Sequence, residues 1–162
     1  MRGLHLIPIL LLGLSVDAKA QDGVLPPLNG KVIEFVDAHM KKKVGRGECW
    51  DLAAEALQYA GASWDGKYKF GRRIDPAKEK VLPGDVVQFE NVHAVDRTGN
   101  VQREERMTKH TAIIHHVHDD GIYTLAHQNT DLTGRKVGTS RFLMRSVVRG
   151  KVIIYRPVAD QQ

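Results

Sequence analysis

Apolar residues recur at helical spacing in two segments of the N-terminal half of the chain. The first segment follows Asn29, a candidate N-cap, and its apolar positions are Val32, Ile33, Phe35, Val36 and Met40. The second runs from about residue 49 to 59, and its narrow apolar stripe is Leu52, Ala53, Ala56, Leu57 and Ala60. Gly61 is suited to end it, so the pattern predicts two helices before residue 62.

Strand-forming residues dominate the second half. The turn Pro83-Gly84-Asp85 opens a strand over residues 86–89 that 92–95 prolong, and 96–100 turn the chain back through Val101. Further strands are predicted at 111–117, 122–126 and 151–155, whereas 63–80 has the composition of a long loop. Residues 142–148 fit a short strand or a short helix. Helices first and antiparallel strands afterwards predict an α+β fold, with the N-terminal helices packed on one face of an antiparallel β-sheet.

The first twenty residues have the pattern of a secretory signal peptide. Met1-Arg2 is a basic start, residues 4–14 are a short apolar core, and Ala18-Lys19-Ala20 is a small-x-small cleavage site. The apolar run is too short to span a bilayer. We therefore predict a secreted or periplasmic protein cleaved after Ala20, with no membrane span in the mature chain. Residues 21–28 form a linker, 29–158 one domain and 159–162 a C-terminal tail.

Composition fits a single globular domain. Hydrophobic residues make up 42% and charged residues 27% of the 162 positions. The net charge of +5 favours anionic partners, but aromatic residues are only 6% and no nucleic-acid motif is present. A solvated basic surface is the simpler interpretation, so no nucleic-acid partner is expected. The sequence leaves the oligomeric state undetermined.

Cys49 is the only cysteine, so no disulfide can form within the chain. It lies where a glycine-rich loop enters the second helix, and the dipole at a helix start favours a thiolate. His110 and His127 follow on predicted strands. A cysteine on a helix start followed by a histidine on a strand is the order of a papain-like hydrolase.

The hairpin between residues 118 and 121 sets how these histidines meet. A loop of two or four residues places His110 opposite Asn129 and makes His127 a diagonal neighbour on the same sheet face. A loop of three residues would put His127 on the other face. In the favourable register Cys49 is the nucleophile and His110 the base, forming a thiolate–imidazolium pair. His127 or Asn129 orients the imidazole, and the Cys49 backbone N–H is one oxyanion donor.

Each candidate residue also has a structural explanation. A cysteine on an alanine-rich helix is commonly a small core residue, and Trp50, like Trp64, fits a core or cleft wall. The run His115-His116-Val117-His118 raises a metal alternative, because alternation puts His116 and His118 on the face of His110. No carboxylate has a ligand spacing, so neither a metal nor a cofactor is predicted.

Four motifs resemble the papain-like cell-wall hydrolases of the CHAP and NlpC-type superfamily. They are Gly47-Glu48-Cys49-Trp50, Leu82-Pro83-Gly84-Asp85-Val86-Val87, His110-Thr111-Ala112-Ile113-Ile114 and Leu125-Ala126-His127-Gln128-Asn129. The resemblance covers roughly residues 45–130. The forms Gly-Glu-Cys-Trp-Asp-Leu-Ala and Ile154-Tyr155-Arg156-Pro157 also resemble the cysteine-proteinase-fold domain of a myosin-tail-interacting protein.

The resemblance implies a papain-like fold and cleavage of amide bonds in peptidoglycan by an amidase or endopeptidase. Cys49, His110 and His127 match the catalytic positions, and Glu48, Trp50 and Asn129 match supporting or substrate-binding positions. Two residues depart from the CHAP pattern: Glu48 stands where glutamine often assists the oxyanion hole, and His127 where glutamate is common. The expected partner is a cell-wall peptide or another peptide. The alternative is a non-catalytic cell-wall or protein-binding module, with Glu48 as a sign of lost chemistry.

Overall fold

The computed structural model describes residues 24–98, 101–119 and 121–160. The predicted signal peptide lies outside these ranges, as do residues 21–23 of the linker and 161–162 of the tail. The helices and strands of the described part are α1 (Pro27–Ala38), α2 (Cys49–Ala60), β1 (Arg72–Ile74), β2 (Val86–Thr98), β3 (Val101–Asp119), β4 (Ile122–His127), β5 (Gly138–Leu143) and β6 (Val147–Arg156), with a 3-10 turn at Met144–Ser146. None of these described helices has the length and apolar character needed to cross a membrane.

Helix α1 begins at Pro27, two residues before the predicted start. Proline suits the first turn of a helix because its ring presets φ and no N–H is left without a partner. Asn29 is therefore inside the helix, and the prediction that it is the N-cap is wrong. Its buried amide donates instead to the Pro83 carbonyl and to the Asp85 carboxylate, both at 2.9 Å.

Helix α2 begins at Cys49 and ends at Ala60, as the pattern predicted. Its stripe of leucine and alanine is buried against the sheet. Gly61 follows in a left-handed conformation with φ of 71°, which glycine adopts without strain. At the other end the Glu48 backbone N–H donates to Asp51 Oδ2 at 3.2 Å. Glu48 is therefore the N-cap, and Cys49 is the first residue of the helix.

The six strands form one antiparallel sheet in the order β1-β6-β2-β3-β4-β5. The helices precede the sheet along the chain, in agreement with the predicted α+β layout. Strand β1 lies inside the stretch predicted to be a long loop, and it is held there by pairing with β6. The region that the sequence left ambiguous, 142–148, comprises the end of β5, the 3-10 turn and the start of β6.

Strand β3 is a single strand of 19 residues, although only 111–117 was predicted as a strong strand. Residues 101–109 pair with β2 and extend the hairpin past β4. We call residues 91–98 and 101–109 the arm. Strand β4 pairs with β3 only from Ile113 to Asp119. Within the described residues, the arm therefore has an edge next to β4 with no strand on it.

The register between β3 and β4 agrees with the prediction near the candidate histidines. Ile113 lies opposite Ala126 and Ile114 opposite Leu125, as expected for a two- or four-residue loop. Nearer the turn, two register shifts separate these pairs from the pairing of Asp119 with Ile122. Two shifts together move the strand by an even number of residues, so the face on which each side chain lies is preserved.

Two apolar clusters cover the two faces of the sheet. One cluster joins α1 and α2 to side chains that include Val86, Ile113 and Ala126. The other lies on the opposite face, where Phe89, Leu125 and other residues are buried. Because neighbouring strand residues face opposite ways, His110 and His127 lie on the second face, and the Phe89 and His110 ring centroids are 6.1 Å apart.

A buried polar cluster joins the beginning of β2 to α1 and β6. The fully buried Asp85 carboxylate accepts hydrogen bonds from Asn29, the Leu82 backbone, and Nε and Nη2 of Arg156, all between 2.8 and 3.0 Å. Gly84 just before it has φ of 85° and lies against the Asn29 backbone, where a Cβ would meet the carbonyl oxygen at 2.5 Å. The Pro-Gly-Asp motif is therefore a structural junction.

Candidate active site

The start of α2 is tied to the end of β4. Gln128, which is fully buried, donates from Nε2 to the Val44 and Glu48 carbonyls and accepts from the Val44 N–H. Cys49 follows Glu48 directly and is partly exposed. Since His127 precedes Gln128, this contact brings the helix start with its thiol next to the strand end that carries an imidazole.

His110 and His127 form a hydrogen-bonded pair. Nε2 of His110 lies 3.0 Å from Nδ1 of His127, and both side chains are more than nine-tenths buried. Strand β3 supplies one ring and β4 the other, and the register described above makes them diagonal neighbours. Asn129, the competing candidate, has φ of 61° and its amide is used elsewhere. His127 is therefore the partner of His110.

Burial keeps both imidazoles neutral. Loss of solvation lowers the pKa of His110 to about 4. Burial also lowers the pKa of His127 to about 4, and repulsion from a protonated His110 adds to the effect. At neutral pH the pair therefore carries no charge, unlike the thiolate–imidazolium state that the sequence predicted.

Cys49 is not directly bonded to this pair. Within the described part of the chain, no hydrogen bond joins its sulfur to either imidazole. It is the first residue of α2, a helix that packs on the first sheet face, whereas the imidazoles lie on the second. The only ring nitrogen of His110 engaged by another described residue is Nε2, so Nδ1 is the nitrogen left for a thiol.

The Glu48 carboxylate is held by two partners. Its carboxylate accepts a hydrogen bond from Asn129 at 2.7 Å and forms an ion pair with Arg135 at 2.5 Å. Both partners belong to the loop between β4 and β5. Glu48 therefore connects the start of α2 to this loop, and Arg135 compensates its charge. The carboxylate that departs from the CHAP pattern is an anchoring group in this chain.

Aromatic side chains pack on the other side of the helix start. Trp50 contacts Trp64 with ring centroids 5.5 Å apart, and Trp64 stacks on Phe70 at 5.6 Å. The Trp50 indole N–H donates to the Lys67 carbonyl. Lys109 Nζ lies 3.5 Å from the centre of the Tyr68 ring, a cation–π contact next to His110 in sequence. Trp50 thus fixes the loop at 63–70 against α2, as expected of a wall residue.

A cavity of about 450 Å³ opens onto the imidazole pair. The arm forms one wall with residues 104–110, and the loop that follows β4 forms another with residues 129–132. His110, His127 and Ser140 line the cavity together, but Cys49 is not among its lining residues. A substrate group placed there would contact the base from the side away from α2.

The histidine run at the far end of β3 does not join the site. His115 bonds to Asp37 at 2.7 Å, and His118 bonds to the Thr124 hydroxyl at 2.8 Å. A register shift between Ile114 and His116 breaks the alternation on which the metal alternative depended. Across the described residues, no group of three or more histidine, cysteine or carboxylate side chains could hold a metal ion.

The sequence did not identify two residues that hold the site together, Gln128 and Arg135. Gln128 lies between two candidate residues, yet its role depends on carbonyls that are 80 and 84 positions away. Arg135 is one basic residue in a polar loop, with no signal that it would pair with Glu48. Neither contact follows from local spacing. Both depend on how the loop after β4 folds back over the helix start.

The chain is similar to one known family in sequence and to a small number of solved structures in fold. The family model of the AIM3/BBC1 cysteine proteinase-fold domain matches residues 28–162. Among solved structures, the crystal structure of Ly7917 has 16% identity and a TM-score of 0.49, covering 78% of this chain and 62% of that chain. Ly7917 with the hydrolyzing product of MDP has 17% identity and a TM-score of 0.48, covering 80% and 62%. The chain thus spans less than two thirds of those proteins, and no curated protein sequence matches it.

Proposed function

The chain belongs to the AIM3/BBC1 cysteine proteinase-fold family, and on that premise we propose that it is a cysteine hydrolase that cleaves amide bonds of peptides. Cys49 is the nucleophile, His110 the base and His127 the residue that orients the base. The observation that carries the proposal is the 3.0 Å contact between His110 Nε2 and His127 Nδ1. It uses one ring nitrogen of His110 and leaves the other for a thiol, as a triad requires.

The first half of the reaction forms an acyl-enzyme. His110 donates its Nε2 proton to the bond with His127, so its Nδ1 carries the lone pair that accepts the thiol proton. The Cys49 sulfur then bonds to the substrate carbonyl carbon, and the backbone N–H at the start of α2 stabilises the oxyanion. As the C–N bond breaks, the proton on Nδ1 passes to the amine, which leaves. A thioester on Cys49 remains.

The second half restores the enzyme. His110 Nδ1 takes a proton from water, the resulting hydroxide attacks the thioester carbon, and the C–S bond breaks. The proton on His110 returns to the sulfur and the acid product leaves. The imidazole is unprotonated at neutral pH and can accept a proton in both steps, while its low pKa makes it a weak base and argues against a preformed ion pair. Helix α2 packs on the first sheet face and both imidazoles lie on the second, so the proposal requires the sulfur and Nδ1 to meet around the end of β4 in the substrate complex.

We further propose an exported protein whose substrate is a cell-wall peptide or another peptide. The N-terminal signal pattern supports export, and the motif resemblance to the CHAP and NlpC-type hydrolases supports a peptidoglycan amidase or endopeptidase.

A second candidate is a peptide-binding module without hydrolytic activity. One observation favours it: among the described residues, the Cys49 sulfur is bonded to neither imidazole. In this alternative the cavity beside His110 binds peptide, while Cys49 stays a partly buried helix residue.

Incubation with defined substrates separates the two candidates. Purified wall fragments and a mixed peptide library are incubated with the native protein, with Cys49→Ala and with His116→Ala, and the products are identified by mass spectrometry. His116 is an exposed histidine of β3 outside the site, so its variant is the matched control. The hydrolase proposal expects new amide-cleavage products from the native protein and from His116→Ala only. Equal products with Cys49→Ala, or none with any protein, would reject it.

The acid limb of the pH–rate profile follows from burial of the base. Catalysis needs His110 unprotonated, and burial lowers its pKa from an ordinary value near 6.5 to about 4. As pH falls, kcat/KM therefore stays near its maximum through pH 6.5 and declines only towards pH 4. Initial rates measured between pH 3.5 and about 8 test this. Loss of half the activity near pH 6.5 would mean that the catalytic base is exposed.

The Glu48–Arg135 pair predicts a compensating double substitution. Arg135→Gln leaves the Glu48 charge uncompensated beside the oxyanion position, so kcat should fall about threefold to tenfold. Adding Glu48→Gln should restore most of it, because no charge then remains. Folding stability should change by less than about 1 kcal/mol, since the pair is largely exposed. Additive losses in the double variant would remove Arg135 from this role.

A further inference from the structure

A second cavity, of about 360 Å³, lies next to the one at the imidazole pair. Its walls come from the arm, which it shares with the first cavity, and from the region of β5 and the 3-10 turn. Glu105 lines both cavities, so its side chain stands between them. Along β5, Ser140 lines the first cavity and Arg141 begins the wall of the second. The two cavities therefore follow one another along the arm and β5.

Three arginines line this second cavity: Arg103 on the arm, Arg141 on β5 and Arg145 in the 3-10 turn. Arg141 and Arg145 form no salt bridge within the described residues, and all three side chains are exposed. Asp96 and Glu105 supply the acidic groups of the lining. Burial raises the pKa of Glu105, and the nearby Arg103 opposes the shift, so three arginines face two acidic groups. The cavity is therefore positive on balance.

The floor of the cavity is apolar. Phe142 and Leu143 line it and are largely buried, with Ala94 beside them. Arginines around an apolar floor fit a side chain or terminus that ends in a carboxylate and has an aliphatic stem, because the guanidinium fork matches a planar carboxylate. A highly charged polyanion fits less well, since Asp96 and Glu105 would repel it.

We propose that this arginine-lined cavity binds a carboxylate of a peptide whose chain continues into the cavity at His110 and His127. This deepens the hydrolase proposal by assigning acidic peptides as the substrate class. Seven positions of strand separate His110 from Arg103, about 23 Å at roughly 3.3 Å per residue, which bounds the reach of an extended peptide between the two places. The acidic residue then lies within about seven residues of the bond at the imidazoles.

Binding to Cys49→Ala tests this without any need for cleavage. The probes are twelve-residue peptides of alanine and serine with three spaced glutamates, and matched peptides with glutamine or lysine instead. Fluorescence anisotropy with a net-neutral dye gives Kd for each. We expect the glutamate peptide to bind about tenfold more tightly than the glutamine peptide, with a preference that weakens as salt rises. The lysine peptide should bind weakest.

Substitution of the arginines locates the preference. Arg141→Gln/Arg145→Gln in the Cys49→Ala background should abolish the preference for glutamate while leaving affinity for the glutamine peptide unchanged. Arg149→Gln, an exposed arginine of β6 outside the cavity, is the control and should keep the preference. Arg141→Glu/Arg145→Glu should favour the lysine peptide, a gain that misfolding cannot produce. An unchanged glutamate preference in the arginine variants, or no preference in Cys49→Ala, would overturn the proposal. If the protein prefers the glutamate peptide but cleaves no peptide, the hydrolase proposal is rejected and the proposed carboxylate site is retained.

Discussion

Replacing His127 by glutamine should lower kcat by between about 100-fold and 10,000-fold while KM stays nearly constant. His127 Nδ1 is the partner of His110 Nε2 at 3.0 Å, and in the proposed mechanism it keeps the lone pair of His110 on Nδ1. Without it the imidazole can rotate or take the other tautomer, and the base is misplaced in the transition state. Substrate binding does not use this bond, so the loss falls on kcat.

The readouts for His127→Gln separate positioning from folding. Circular dichroism and the melting temperature report whether the buried site survives the change. His118→Gln, on the exposed end of β3, is the matched control and should retain full activity. His127→Asn, which can place an amide oxygen nearer the strand, should recover part of the rate. A folded His127→Gln variant with wild-type kcat would exclude His127 as the orienting residue.

Replacing Asp85 by alanine should lower the free energy of unfolding by about 3–5 kcal/mol. Its carboxylate is fully buried and accepts bonds from Arg156, Asn29 and the Leu82 backbone. Truncation leaves the Arg156 guanidinium, which is only 15% exposed, without its main partner. A loss of this size is a large share of the 5–15 kcal/mol that typically stabilises a domain. Urea unfolding monitored by circular dichroism measures it.

The control for this prediction is Asp75→Ala. Asp75 pairs with Lys78 at 3.5 Å, but its side chain is 53% exposed, so water replaces the lost contact. Its removal should cost less than about 1 kcal/mol. If Asp85→Ala were destabilised no more than Asp75→Ala, the junction of α1, β2 and β6 would not depend on the buried carboxylate.

Local sequence patterns predicted the elements that are determined by their own residues rather than by long-range contacts. Helix α2 follows from its alanine and leucine stripe and from Gly61, which ends it where expected. The start of β2 follows from the Pro-Gly-Asp turn. The arm could not be foreseen in β3, because Met107 is the one apolar residue from Gln102 to Lys109 and no period of two is visible. Pairing with β2, a long-range contact, is what makes them a strand.

The site was predictable in its residues and less so in its contacts. The hairpin register, which was argued from loop length, predicted the diagonal contact of His110 and His127. The two register shifts nearer the turn leave both side chains on the same sheet face. Asn129 was the competing candidate in the sequence, and its amide is instead engaged by the Glu48 carboxylate. The neutral state of the imidazoles depends on how deeply neighbouring elements bury them, which spacing along the chain does not report.

The most direct test of the account is to trap the acyl-enzyme. A peptide substrate identified in the cleavage assay is mixed with the protein, quenched in acid, and the intact protein and its proteolytic fragments are examined by mass spectrometry. The account predicts an added mass of one acyl fragment on the peptide containing Cys49, absent from Cys49→Ala and much reduced in His110→Ala. Cleavage that proceeds with no adduct on Cys49, and at the same rate in Cys49→Ala, would contradict it.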